Sequence, residues 1–273
     1  YFAPTPPLEA LRTVLSLAAT KIGDWQPVYD PDSEDRMQIS LIDISRAYFN
    51  AETDQSSPTY VNLPPEDRDN VEKCGMLLKH MYGTRAAADG WQEEYSSFLV
   101  TSLGFKQGTA SPCLFRHAEK NIALSVHGDD FTASGSCTAL DWMEAKIAEQ
   151  YEITVQPRIG PGSGDAKEGR CLNRIIRWTD TGIEYEADPR QVERLIAECG
   201  LVGDHVKGAA TPGVKPSFQE LEADTELKAL LRTAFRGSAA RGNYLAADRI
   251  DAMLACKEVW RWMSRPTEHA WQA

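Results

Sequence analysis

The sequence predicts an α+β fold centred on a split β-α-β arrangement. Three observations carry this expectation. An apolar run, MQISLIDI over residues 37–44, has the length and composition of a mostly buried strand. Two helical stripes follow it. One is Trp91, Tyr95, Phe98, Leu99 and Leu103, closed by Gly104, and the other is Leu140, Met143 and Ile147. Between them lie two short strand patterns and the stretch SVHGDDFTA over 125–133, which reads as a hairpin tip.

In chain order, Thr5-Pro6-Pro7 followed by Leu8, Leu11, Val14, Leu15 and Ala18 predicts a helix over roughly 7–20. Residues 23–36, polar with two prolines, predict a loop. The 37–44 strand ends near Asp43. Residues 54–70 are loop-rich around one apolar stretch at 60–63, and 75–82 fits either a strand or a first helical turn. A helix is expected over 86–103, strands over 114–116 and 122–126, and a second helix over about 138–150. A glycine-rich loop at 157–170 precedes a hairpin over 170–178 and 182–185. Asp188-Pro189 then opens a helix whose apolar positions are Val192, Leu195, Ile196 and Cys199, ended by Gly200. Residues 203–219 read as a linker, and the tail predicts helices around 225–236 and 246–264.

Length and composition bound the function. The chain has 273 residues, 42% of them hydrophobic and 25% charged, enough for a substantial core in one or two domains. No apolar run reaches membrane-spanning length. Six scattered cysteines without a CxxC pair fit reduced, intracellular thiols better than a disulfide frame or structural zinc, and Cys113 with His117 supplies only two ligands. The net charge of −11 argues mildly against a nucleic-acid binder, because such proteins gain affinity by neutralising phosphates. A local basic patch still has candidates. Residues 228–247 contain no acid, with Lys228, Arg232 and Arg236 spaced four apart and Arg241 beyond, and Arg170, Arg174 and Arg177 form a second cluster. Each serves equally well as a solvated face.

The acids are the sharper signal. Gly128-Asp129-Asp130 alone is an ordinary turn sequence. Asp43 adds a carboxylate at the end of an apolar strand, where burial costs several kcal/mol unless the group is paired or metal-bound. If the 36–44 strand and the 122–133 hairpin are neighbours, Asp43 and Asp129 converge. Convergent carboxylates repel unless divalent cations neutralise them, and two Mg²⁺ ions roughly 3.5–4 Å apart clamp the oxygens of a phosphoryl transfer.

At this point the residues resemble a known family. DISRAYFNAE at 43–52 resembles the first catalytic motif of reverse transcriptases. LLKHMYGTRAAADGWQEEYSSFLVTSLGF at 77–105 is similar to the copia-type Leu-Tyr-Gly-Leu-Lys-Gln-Ala motif and the helix after it. SPCLFRH at 111–117 and VHGDDF at 126–131 follow in the family's order, the latter matching its Tyr-Val-Asp-Asp hairpin. The likeness continues through CLNRIIRWTDTGIEYEADPRQVERLIAECGL, ATPG and the terminal segment, and so covers nearly the whole chain. It implies an RNA-directed DNA polymerase from the Pol polyprotein of a copia-type LTR retrotransposon. The implied fold is a palm with a ferredoxin-like core over 1–180, carrying a remnant of fingers, a thumb-like segment over 181–215 and a connection segment over 216–273.

The resemblance also implies roles. Asp43, Asp129 and Asp130 would be catalytic, and with the Ile44 carbonyl would hold two Mg²⁺, or Mn²⁺. Ala47, Tyr48 and Arg85 would meet the nucleotide, Tyr48 packing under the deoxyribose. Arg174, Arg177, Lys228, Arg232 and Arg236 would follow the nucleic-acid backbone. Partners would be an RNA template with a DNA or RNA primer, dNTPs, and the integrase and RNase H domains of the same polyprotein. Location would be a cytoplasmic particle and the nucleus, without a membrane. Three departures favour a second reading, a catalytically inactive relic with weak nucleic-acid binding at most. His127-Gly128 replaces Tyr-Val, Ala86 replaces Gln, and the fingers segment expected before Tyr1 is missing. A phosphoacceptor receiver domain, which also uses an aspartate pair and a lone aspartate, would need alternating βα units that the hairpins do not supply.

Overall fold

The computed structural model describes residues 5–20, 31–69, 71–203, 206–208 and 216–272. The loop expected over 23–36 lies outside these residues as far as 30, as does much of the linker expected over 203–219. The chain forms two compact units. One comprises Tyr1–Leu172 with Ile176–Glu184, and the other Asn173–Ile175 with Tyr185–Ala273.

The first unit opens with α1 (Leu8–Leu17), whose Leu11, Val14 and Leu15 are buried. Strand β1 (Met37–Ile44) is followed by a short 3-10 turn, Ala47–Asn50, entered through Arg46 in the left-handed region at φ 51°. A two-stranded ribbon pairs β2 (Tyr60–Asn62) with β3 (Cys74–Met76). The ambiguous 75–82 stretch thus begins as strand. Its next amide, Leu77 N–H, donates across the ribbon to Thr59 O at 2.9 Å, and Gly83 at φ 86° interrupts any helix before Ala87. Helix α2 (Ala87–Ser97) widens into a π-helical turn over Phe98–Ser102. Strands β4 (Lys106–Gln107), β5 (Leu114–His117), β6 (Ile122–His127) and β7 (Asp130–Ser136) follow. Helix α3 (Cys137–Gln150) is N-capped by Ser136, and β8 (Ile153–Val155) completes the set.

These strands form one six-stranded antiparallel sheet in the order β4-β5-β6-β7-β1-β8. Strand β1 lies between β7 and β8, so strands reached through the two helices flank the first strand, as a split β-α-β requires. Alternation sorts the two faces. Ile42, Ile44, Leu124, Val126, Phe131 and Ala133 join Trp91, Tyr95 and Leu99 of α2 and Leu140, Met143 and Ile147 of α3 in the main core. Helix α1 packs on β6 and β7.

The glycine-rich loop after β8 is built around Asp165. Arg36 donates Nε and Nη2 to its carboxylate at 2.9 and 2.7 Å, Gln38 Nε2 donates at 2.7 Å, and Gly162 N–H donates at 2.8 Å. Lys167 Nζ reaches the carbonyls of Gly160, Pro161 and Gly162 at 2.8–2.9 Å. A second sheet follows, β9 (Glu168–Cys171), β10 (Arg174–Thr179) and β11 (Gly182–Glu186), with β10 central.

In the second unit, α4 (Pro189–Glu198) starts as its sequence predicts. Asp188 caps it, accepting from Arg190 N–H at 3.1 Å, and Gly200 beyond its end has φ 67°. Its apolar stripe is not core, however: no residue of α4 is buried. Helix α5 (Phe218–Ala223) begins with a Ser217–Glu220 capping box. The tail helices have other limits than expected. Helix α6 (Ala229–Ala246) runs through Gly237 and Gly242, and α7 (Ile250–Trp260) packs on it, with Cys256 Sγ 3.4 Å from where a Cβ on Gly242 would lie. Helix α8 (Glu268–Gln272) brings Ala270 to a small core with Leu227, Phe235 and Ala239.

Two close fits in the first unit are testable. A Cβ on Gly90 of α2 would collide with the buried imidazole of His80. Gly90→Ala should therefore destabilise by about 1–3 kcal/mol through overpacking, against a helix-propensity gain of about 1 kcal/mol. In a His80→Ala background only the gain remains, so urea unfolding should show the sign reverse. The Asp165 carboxyl is held below its ordinary range, first by the Arg36 hydrogen bond. A depressed folded pKa means stability that is complete above the ordinary carboxylate range and lost as pH falls through the folded value. Asp165→Asn should cost about 2–3 kcal/mol at neutral pH and flatten that acid limb in unfolding curves.

Candidate functional site

The β6–β7 connection is a two-residue hairpin, with His127 paired to Asp130 and Gly128-Asp129 forming the loop. Gly128 has φ 66° and Asp129 is not in the left-handed region, the pattern of a type II′ turn, which calls for glycine first. That accounts for glycine here, since a β-branched residue at this φ would be strained. Both loop carbonyls are bonded. Gly128 O accepts from Trp91 Nε1 at 2.9 Å, and Asp129 O accepts from Ile44 N–H at 3.0 Å.

Strand β1 pairs with β7 so that Asp43 stands opposite Asp130, on the same face of the sheet. Asp43 is the one exposed residue of β1, so the burial argument made for it from sequence falls on Asp130 instead. Burial first, then the charges of Asp129 and Asp43, push Asp130 up to about 6. Asp43 is also raised, by burial and by Asp129. Among the described residues, no cation lowers either shift. Among the described residues no group of three or more His, Cys, Asp or Glu side chains is placed to enclose a metal ion.

Beside the turn lies a cleft of about 320 Å³ lined by Tyr48, Trp91, Gln92, His127, Asp129 and Asp130, among others. Tyr48 packs on Tyr82, ring centroids 4.4 Å apart, and Phe49 meets the edge of Tyr82 at 5.8 Å. Burial and the nearby Asp129 raise the Tyr82 phenol. Tyr82 and Gln92 were not singled out in the sequence, and Trp91 was read only as core. The Met-Tyr-Gly and Trp-Gln spacings were the available signals, but neither shows which ring reaches the hairpin. On the other side of the acids, Arg170 and Cys171 line a cavity of about 20 Å³ with Asp43 and Asp130.

Several expected site residues lie elsewhere. Ala47 is buried in the main core, so its side chain does not reach the cleft. Arg85 is exposed on the turn before α2 and does not line the cleft. Arg174 is no surface cation: it is 6% exposed, donates Nε to the fully buried Asp248 at 2.9 Å, and lies over the Tyr244 ring. Arg177 pairs with Glu168 at 3.1 Å. Arg236 donates to the carbonyls of Met263 and Ser264 just beyond α7, Arg232 stands 3.7 Å from Glu226, and Arg241 pairs with Glu198. Lys228 is exposed at the start of α6. His117 is buried edge-on between Phe105 and Trp142, its Nδ1 accepting from Lys120 N–H, a packed ring rather than a ligand.

An antiparallel sheet that ends in an acidic turn beside a strand-end aspartate is an arrangement suited to nucleotidyl transfer. Residues 31–159 match the model of the reverse transcriptase (RNA-dependent DNA polymerase) family. The chain is also similar to the retrovirus-related Pol polyprotein from transposon RE2 of Arabidopsis thaliana, 24% identical over 287 residues. That alignment covers all of this chain and 17% of the polyprotein, so the chain spans about a sixth of that relative's length. Together these findings support a fragment of a retrotransposon reverse transcriptase.

The charge cluster has a measurable consequence without any metal. Because the folded pKa of Asp130 lies above the ordinary carboxylate value, ionising it weakens the fold: this group's contribution is most favourable in acid and is lost as pH rises from the ordinary carboxylate range through about 6. Asp130→Asn should stabilise the protein in EDTA at pH 8 by roughly 1 kcal/mol, allowing for solvent screening of this half-exposed group. At pH 5 the gain should shrink, as thermal unfolding at the two pH values would show.

Proposed function

We propose that the chain is the palm-centred core of a copia-type RNA-directed DNA polymerase, extending a primer 3′-hydroxyl with dNTPs on an RNA template. The observation that carries the reading is the convergence of Asp43, Asp129 and Asp130, the last two lining a cleft shared with Tyr48 and the carboxyls of Asp43 and Asp130 both raised. Residues 1–180 would form the palm with a remnant of fingers, 181–215 a thumb-like segment, and 216–273 the connection toward RNase H.

The donors fit hard cations. Carboxylate oxygens suit Mg²⁺ or Mn²⁺, and a site with few protein ligands leaves coordination places for water and substrate phosphates. Asp43 and Asp129 would hold two such ions, with Asp130 and the Ile44 carbonyl beside them. When bound, the metals would supply electrostatic stabilisation of the attacking and leaving oxygens. The chain's own contribution is placement. The β1–β7 register sets two of the acids, the turn sets the third, and Tyr48, backed by Tyr82, offers a flat wall for a sugar. Arg85, exposed before α2, would meet a phosphate on closure around substrate. Lys228 and Arg232 would follow the nucleic-acid backbone, whereas Arg174 is excluded by its burial. The integrase and RNase H of the same polyprotein would be its partners, in a cytoplasmic particle and in the nucleus. Among the described residues no helix is long and apolar enough to cross a membrane.

The test is primer extension by the polyprotein segment containing this chain, with RNA template, dNTPs and Mg²⁺. Wild type should add nucleotides. Asp129→Asn should lose at least about a thousandfold in rate while unfolding at an unchanged or higher temperature. Wild-type protein that binds template–primer and adds nothing would favour the inactive relic.

A further inference from the structure

We infer that Trp91 is a positioning residue for the acidic turn, its indole N–H fixing the peptide that sets the backbone conformation, and so the accessible rotamers, of Asp129. The inference rests on the metal-site reading above. In a two-residue hairpin, type I′ and type II′ turns differ mainly by a flip of the central peptide. Here that peptide joins Gly128 to Asp129, and its carbonyl is the one that accepts from Trp91 Nε1 at 2.9 Å. Flipped, the turn would lose that hydrogen bond and carry Asp129 into the left-handed region, which aspartate tolerates and which changes the side-chain rotamers open to it. Nothing in the residue types of the loop forbids this, and a Cβ on Gly128 would meet no atom within 4 Å. The restraint comes from outside the loop.

Trp91 is suited to supply it. It is 1% exposed, and its ring is held edge-on against Tyr95 at 5.4 Å and Tyr151 at 5.3 Å. An indole nitrogen can only donate, and a buried donor without an acceptor is costly, so the ring and the turn hold each other. The second loop carbonyl is fixed separately by Ile44 N–H, at 3.0 Å. That bond comes from the residue next to Asp43. Helix α2 and strand β1 thus each hold one of the two peptides that orient Asp129.

The experiment compares Trp91→Phe, which keeps an aromatic ring and removes the donor, with Leu99→Ala. Leu99 lies on the same buried stripe, and its loss weakens the core while leaving the indole in place. Mn²⁺ binding, followed by the spin resonance of the free ion, is measured with both variants and with Asp129→Asn. Amide exchange at Asp129 and Asp130 is measured in parallel. Trp91→Phe should bind Mn²⁺ about tenfold more weakly and exchange faster at the turn, while Leu99→Ala binds within about twofold of wild type. Equal Mn²⁺ affinity in Trp91→Phe and wild type, or an equal loss in Leu99→Ala, would overturn the assignment. If wild-type binding is absent, or is insensitive to Asp129→Asn, the metal reading itself fails and the role of Trp91 falls with it.

Discussion

The antiparallel pairing of β1 with β7 sets Asp43 opposite Asp130, and that register is held along the whole length of both strands. At the far end, Met37 stands opposite Ser136, and Cys137 N–H donates to Arg36 O at 3.0 Å. In the middle, Ile39 stands opposite Ser134 of β7, and on its other edge it exchanges backbone hydrogen bonds with Ile159 at 2.8 and 3.0 Å. A slip of one residue would turn Ile42 and Ile44 out of the core and Asp43 into it. The core therefore specifies the site. The pattern that buries Ile42 against α2 and α3 also brings the two aspartates together on the other face.

The same arrangement explains how the fold tolerates its own repulsion. Two half-satisfied carboxylates near a third destabilise the metal-free protein by an amount on the order of 1 kcal/mol each after screening. Against this stand the side chains that end the same strands. Ile42, Ile44, Val126 and Phe131 are buried almost completely, each contributing roughly 1.5–3 kcal/mol. The apolar term wins several-fold, so the acids can stay close without a metal.

Much of this was legible in the sequence, and the failures have physical causes. Local signals served well where one residue type has one use. Asp188-Pro189 opened a helix, Gly104 and Gly200 ended helices with positive φ, and the 37–44 apolar run was a central strand. The neighbouring of β1 and the acidic hairpin was a condition that no local pattern could decide, because strand order is set by packing. The stripe of α4 failed because periodicity shows amphipathicity but not whether a partner covers the apolar face. The first tail helix, expected to end near 236, runs on to Ala246 through Gly237 and Gly242, and Gly242 serves a close approach by Cys256. Trp91 was half-read: its place in the stripe predicted burial, and nothing in the spacing predicted an acceptor 37 positions away.

The arginines show why charge counting misleads most. An arginine carries five donors, and the sequence does not tell whether they face water, a carboxylate or a helix end. Arg174, Arg236 and Arg241 stand in segments poor in acids, yet Asp248, two terminal carbonyls of the tail and Glu198 engage them. Arg174 is the extreme case, since a buried charge without its partner would be far more damaging than a missing surface charge. Such arginines organise the helical unit and add little field outside it. The positive surface of this chain is therefore narrower than its lysine and arginine count suggests. Asp43 and Asp130, by contrast, are pushed upward by burial and neighbouring carboxylates, with no cation among the described residues lowering either.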